Sequence, residues 1–132
     1  MMKYEFMKYD WKNKTILVAE DDDGNFFLLQ CYLEETNANV IRAENGQEAI
    51  DICKLNSNID IILMDNRMPE KTGLEATQEI REFNKNIPII SVTAFAYDDN
   101  EKKAFEVGCN HFMTKPLTEE NLFPVIDRFF NK

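Results

Sequence analysis

No stretch of this chain stays apolar long enough to cross a bilayer; none approaches the roughly 18–20 residues that a helical span needs. The N-terminus, MMKYEFMKYDWKNK, lacks the apolar segment of a secretory signal, so the cytoplasm is the expected compartment. Basic residues are in deficit: 15 Lys and Arg stand against 24 Asp and Glu, a formal charge of −9. That balance excludes general binding to nucleic-acid phosphates, which takes a basic face. It favours partners that are cationic or carry a metal. Cysteine is sparse, and Cys31, Cys53 and Cys109 form no CxxC pair, which argues against a zinc site or a disulfide framework. They read as small buried apolar residues. The one histidine, His111, lies inside a strand-like run and is assigned no phosphoryl role. No internal repeat or low-complexity tract is visible.

What the chain does have is alternation. Short β-rich runs occur at 15–19 (TILVA), 39–43 (NVIRA), 60–64 (DIILM), 88–92 (PIISV) and 111–114 (HFMT). Helical-period segments lie between and after them, at 25–35, 46–55, 74–83, 98–107 and 119–130. Phe26, Leu29 and Leu33 line one stripe of the first helix, and Leu122, Val125, Ile126, Phe129 and Phe130 line one of the last; both stripes read as core. Five strand–helix units predict an α/β domain with a parallel sheet covered by helices on both faces. The runs ILVA and IILM are apolar without alternation, as strands buried on both sides should be. At 132 residues the chain fits one domain. Residues 1–13 match no element and read as a loosely packed lead-in or linker, leaving 14–132 as the folded unit.

The polar residues sit where the strands end. The first run leaves on Glu20-Asp21-Asp22, the third on Asp65, the fourth on Thr93-Ala94 and the fifth on Lys115-Pro116. In a parallel sheet all carboxyl ends share one edge, where ligands of open α/β sheets bind. Carboxylates crowded there repel one another, which raises a pKa or recruits a cation. Hard oxygen ligands of this kind suit Mg²⁺. Lys115 adds a mobile positive charge, Thr93 a hydroxyl, and Ala94 a small side chain beside a backbone N–H. These are the parts needed to move a phosphoryl group onto a carboxylate, with Asp65 as nucleophile. Each residue also has a plainer use: Asp21-Asp22-Asp23-Gly24 can cap a helix, and aspartate, threonine and Lys-Pro commonly end strands or make turns.

The combination of ILVAEDD at 16–22, ILMDNRMPEKTG at 62–73, VTA at 92–94 and TKP at 114–116 resembles the receiver domain of two-component response regulators. The resemblance implies a flavodoxin-like (βα)5 sandwich with strand order 2-1-3-4-5. It implies that Glu20, Asp21 and Asp65, with the backbone carbonyl of Arg67, hold Mg²⁺. Asp65 would be the phosphoacceptor, Thr93, Ala94 and Lys115 would bind the phosphoryl oxygens, and Lys115–Pro116 would be a cis bond. Thr93 and Phe112 would form a switch that reshapes the face of helix 4, strand 5 and helix 5. The implied partner is a histidine kinase or histidine phosphotransfer domain.

Arg67 and Phe95, both bulky, are expected at the mouth, shielding the acyl phosphate. The lead-in YDWKNKTILVAEDD and the segment GCNHFMTKPL resemble receivers at the C-terminal end of hybrid histidine kinases; the alternative is a stand-alone regulator. A haloacid-dehalogenase-type hydrolase uses similar groups, but carries a second aspartate where this chain has Arg67.

Overall fold

A computed structural model describes residues 9–94 and 98–131. The strands are β1 (Thr15–Ala19), β2 (Asn39–Ala43), β3 (Ile61–Asp65), β4 (Ile89–Thr93) and β5 (His111–Thr114). The helices are α1 (Asp23–Glu34), α2 (Gly46–Leu55), α3 (Gly73–Phe83), α4 (Asp98–Glu106) and α5 (Glu119–Phe130). All strand pairs are parallel and the sheet runs β2-β1-β3-β4-β5. β1 and β3 are therefore neighbours, with Ala19 opposite Met64.

Strand residues alternate between two cores, as the two-residue period of a strand requires. Leu17, Ala19, Ile62, Met64 and Ile89 pack with Ala49, Ile50, Ala76, Ile80 and Ala104 from α2, α3 and α4. Ile16, Val18, Ile61, Leu63, Ile90 and Val92 pack with Leu29, Leu33, Leu122, Phe123 and Ile126 from α1 and α5. Burial of each such side chain is worth about 1.5–3 kcal/mol, so β1, β3 and β4 form a rigid platform. α5 runs through Pro124, a residue that costs a helix interior about 3 kcal/mol. The burial of Leu122, Phe123, Val125 and Ile126 on the same helix offsets that cost.

Several details differ from the sequence reading. β3 and β4 reach Asp65 and Thr93, so these two residues are the last rungs of their strands. α1 begins at Asp23 because the Asp22 carboxylate accepts the Asn25 amide at 2.8 Å and caps it. Cys53 and Cys109 are buried as expected, but Cys31 is exposed on the outer side of α1.

Among the described residues of the lead-in, Trp11 is the larger difference. Trp11 is only 4% exposed. Its amide donates to the Thr36 carbonyl at 2.6 Å, and its indole N–H donates to Asp127 Oδ1 at 3.0 Å. The indole ring meets Phe123 and Phe130 edge-on at 5.3 and 5.4 Å. Residue 11 thus ties the end of α1 to the end of α5, while its neighbours Asp10, Lys12 and Asn13 stay exposed. We expect Trp11→Ala to lower the unfolding free energy by about 3–5 kcal/mol in urea titration. A loss under about 1 kcal/mol would return the segment to a loose linker.

Candidate functional site

The carboxyl edge of the sheet brings the predicted acids together. One carboxylate oxygen each from Glu20, Asp21 and Asp65 lies within 4.8 Å of the others. Glu20 and Asp65 are 2% and 6% exposed, while Asp21 faces solvent. The Lys115 ammonium stands between the two buried acids, 2.9 Å from Glu20 Oε1 and 3.3 Å from Asp65 Oδ2. Each partner is held by backbone. Glu20 Oε2 accepts the Asp22 amide at 3.1 Å, Asp65 Oδ1 accepts the Arg67 amide at 3.3 Å, and the Lys115 amide donates to the Thr93 carbonyl at 2.8 Å. The Lys115–Pro116 peptide is cis, as the resemblance implied.

The acidic run after β1 divides its labour. Asp22 caps α1 and leaves Asp21 at the cluster, so the capping reading and the ligand reading each describe a different residue. After β3 the chain turns tightly around the acceptor strand. The Gly73 amide donates to the Asn66 carbonyl at 3.0 Å, and Asn66 Oδ1 accepts the Leu74 amide at 3.2 Å. Gly73 packs against the backbone of Asp65 and Asn66 so closely that a Cβ would collide with the Asp65 carbonyl oxygen. Thr72 caps α3 in a reciprocal box with Glu75.

The remaining predicted residues take their places around this centre. Thr93 is buried at the end of β4, Ala94 is exposed just beyond it, and Arg67 is exposed. Phe112 is half-buried against the α2–α4 core. Phe95 lies outside the described residues. The sequence reading missed Arg42, whose guanidinium bonds the carbonyls of Glu20 and Asp21. Its only signal was a charged residue in an otherwise apolar strand run.

The electrostatics follow from the burial. Loss of water raises the Asp65 carboxyl from its ordinary 3.8, and the negative Glu20 raises it further, while Lys115 pulls it back; the result is about 6. Burial lowers the Lys115 ammonium, but the hydrogen bond to Glu20 and the charges of Asp65 and Glu20 outweigh it, and its pKa rises. Three carboxylates against one ammonium leave two formal negative charges. A hard divalent cation fits that donor set and cancels that charge.

The response regulator receiver domain family matches residues 16–127. This chain belongs to that family. It is similar to the two-component response regulator ARR22 of Arabidopsis thaliana, at 36% identity over 119 residues, 89% of this chain and 84% of that protein. The polar-differentiation response regulator DivK of Brucella anthropi is 32% identical over 118 residues, 88% of this chain and 95% of DivK. Among solved structures, the receiver domain of the sensor histidine kinase PA1611 of Pseudomonas aeruginosa has a magnesium ion coordinated in its active site cleft. It superposes with a TM-score of 0.84 at 28% identity, covering 91% of this chain and 99% of that one. The co-crystal structure of the Saccharomyces cerevisiae histidine phosphotransfer protein Ypd1 with the receiver domain of its response regulator Ssk1 matches at a TM-score of 0.83 and 29% identity, covering 89% of each chain. Among the described residues of this receiver, no helix is long and apolar enough to cross a membrane.

The raised Asp65 pKa sets a sign for stability in metal-free buffer. A carboxyl that ionises at about 6 when folded and 3.8 when unfolded contributes stability fully below 3.8 and loses it as pH rises through 6. Asp65→Asn cannot ionise. We expect it to unfold with the wild type near pH 3.5 and to be more stable by up to about 3 kcal/mol above pH 7, measured by denaturation in EDTA. A variant less stable than the wild type at pH 8 would refute the assignment.

Proposed function

We propose that Asp65 is the phosphoacceptor of this receiver, taking its phosphoryl group from a phosphohistidine on a histidine kinase or a histidine phosphotransfer protein. The observation that carries the reading is the Lys115 ammonium bridging the buried carboxylates of Glu20 and Asp65 at the ends of three separate strands. An Asp65 carboxylate oxygen attacks phosphorus in line with the P–N bond. That bond breaks, its electron pair leaves on the imidazole nitrogen, and the new O–P bond makes an acyl phosphate. Lys115, already 3.3 Å from Asp65 Oδ2, turns to the incoming phosphoryl oxygens. The Thr93 hydroxyl and the Ala94 amide, at the end of the adjacent strand, supply further donors. Glu20, Asp21, Asp65 and the Arg67 carbonyl would hold Mg²⁺, which when bound supplies positive charge against the phosphoryl oxygens.

The surroundings support a docked donor. A cleft of about 280 Å³ opens beside Glu20 and Lys115, walled by Asn25, Leu28, Leu29, Pro116 and Leu117. Leu28, part of that wall on α1, is 46% exposed. Such an apolar rim suits a helical partner presenting a histidine. The extra negative charge of the acyl phosphate then draws the Thr93 hydroxyl inward, which vacates space for Phe112 to turn and changes the α4–β5–α5 face. The domain we assign to 14–132 includes contacts from residue 11. We propose that its parent is a hybrid histidine kinase, and a kinase core encoded in frame upstream would bear this out.

Incubation with acetyl phosphate and Mg²⁺, read by intact mass, should add one phosphoryl group to the wild type and none to Asp65→Asn. Labelling of the Asp65→Asn protein to the wild-type level would dismiss the assignment.

A further inference from the structure

Arg42 lies on β2, one strand away from the carboxylate cluster, and is part of none of the motifs that mark the site. Its guanidinium nevertheless makes four separate contacts there. Nε donates to the Glu20 carbonyl at 3.1 Å and Nη2 to the Asp21 carbonyl at 3.2 Å. Nη1 pairs with Asp23 Oδ1 at 2.9 Å. The plane lies over the Phe26 ring, 4.8 Å from its centroid. The side chain is 20% exposed. A planar fork can bond two successive carbonyls at once, whereas a lysine ammonium, a point donor on a flexible stem, cannot reproduce that geometry.

The two carbonyls belong to the two acids whose side chains join Asp65 in the cluster. The Glu20 carbonyl lies in the peptide to Asp21 and the Asp21 carbonyl in the next one, so holding both fixes the directions in which the two carboxylates leave the backbone. Arg42 is anchored in turn by stacking on Phe26 and by the register of β2 on β1, where it stands opposite Val18. We infer that Arg42 is a positioning residue for the divalent-cation site, holding the Glu20 and Asp21 carbonyls so that both carboxylates converge with Asp65. This rests on the metal-dependent reading proposed above and adds a residue to it. Outer-shell groups of this kind typically change metal affinity by about 10–100-fold when removed.

Positioning by Arg42 and plain electrostatics predict opposite signs. Deleting a positive charge near a cation site should tighten Mg²⁺ binding if charge alone mattered. If Arg42 positions the acids, deletion should weaken it. The test is Mg²⁺ titration by calorimetry of the full chain, with folding checked by circular dichroism and by the melting temperature in EDTA. Arg42→Ala is expected to raise the Mg²⁺ dissociation constant about 10-fold, and Arg42→Lys, which keeps the charge, to raise it several-fold. Asp23→Asn, which removes the ion pair and leaves both carbonyl bonds, is expected to bind as the wild type does. In acetyl phosphate labelling, the Mg²⁺ concentration for half-maximal rate should rise in the Arg42 variants while the rate at saturating Mg²⁺ stays near wild type. Should Arg42→Ala lose its folded spectrum, Arg42→Lys decides alone. Unchanged or tighter Mg²⁺ binding by the folded Arg42 variants, with normal binding by the wild type, overturns the inference and leaves the proposed function intact. Absence of Mg²⁺ binding by the wild type overturns both.

Discussion

Two carboxylates that water scarcely reaches, Glu20 and Asp65, share a single ammonium from Lys115. In isolation either acid would be costly to bury, and the pair would repel. The lysine makes the arrangement tolerable without making it neutral, since exposed Asp21 adds a third negative charge at the rim. The pocket is therefore built with a charge deficit. In the proposed function that deficit is useful chemically: a cation and a phosphoryl group would enter together, each offsetting the other, at a place where fixed charges act strongly because little water screens them.

Holding such a pocket open depends on backbone more than on side chains. Strands β1, β3 and β4 are packed on both faces, so their last residues cannot drift. The loops that follow are pinned one by one. Asp22 caps α1, Thr72 caps α3, Gly73 lets α3 start against the Asp65 carbonyl, and the Lys115 amide is tied to Thr93. Arg42 closes the ring from β2. The acids are thus oriented by backbone hydrogen bonds and helix caps around them, which is how a site of small side chains keeps its geometry.

At the opposite edge of the sheet, Trp11 joins the ends of α1 and α5 through one indole hydrogen bond, one backbone hydrogen bond and two edge-on ring contacts. α1 and α5 together cover one face of the sheet, and α1 also carries the apolar rim beside Lys115. The lead-in therefore braces the same layer that flanks the mouth of the site.

Much of this was legible from the linear chain because its causes are local. Unbroken apolar runs such as ILVA and IILM mark strands buried on both faces, and helical periodicity between them implies parallel crossovers; together these made a parallel sheet covered on both faces readable, while the strand order came only from the family resemblance. A polar residue at each strand exit was enough to place Glu20, Asp21, Asp65, Thr93 and Lys115 on one edge, since parallel strands all end on the same side. Other features depended on residues far apart in sequence. Trp11 finds Asp127 across 116 positions, and no local pattern distinguishes a docked lead-in from a loose one. Arg42 looks like an ordinary strand residue until β2 lies beside β1 and its fork meets the Glu20 and Asp21 carbonyls. The division of work between Asp21 and Asp22 likewise waited on where α1 begins. Local chemistry named the groups of the pocket, and the three-dimensional packing decided which neighbours hold them, because hydrogen-bond partners are chosen by distance in space.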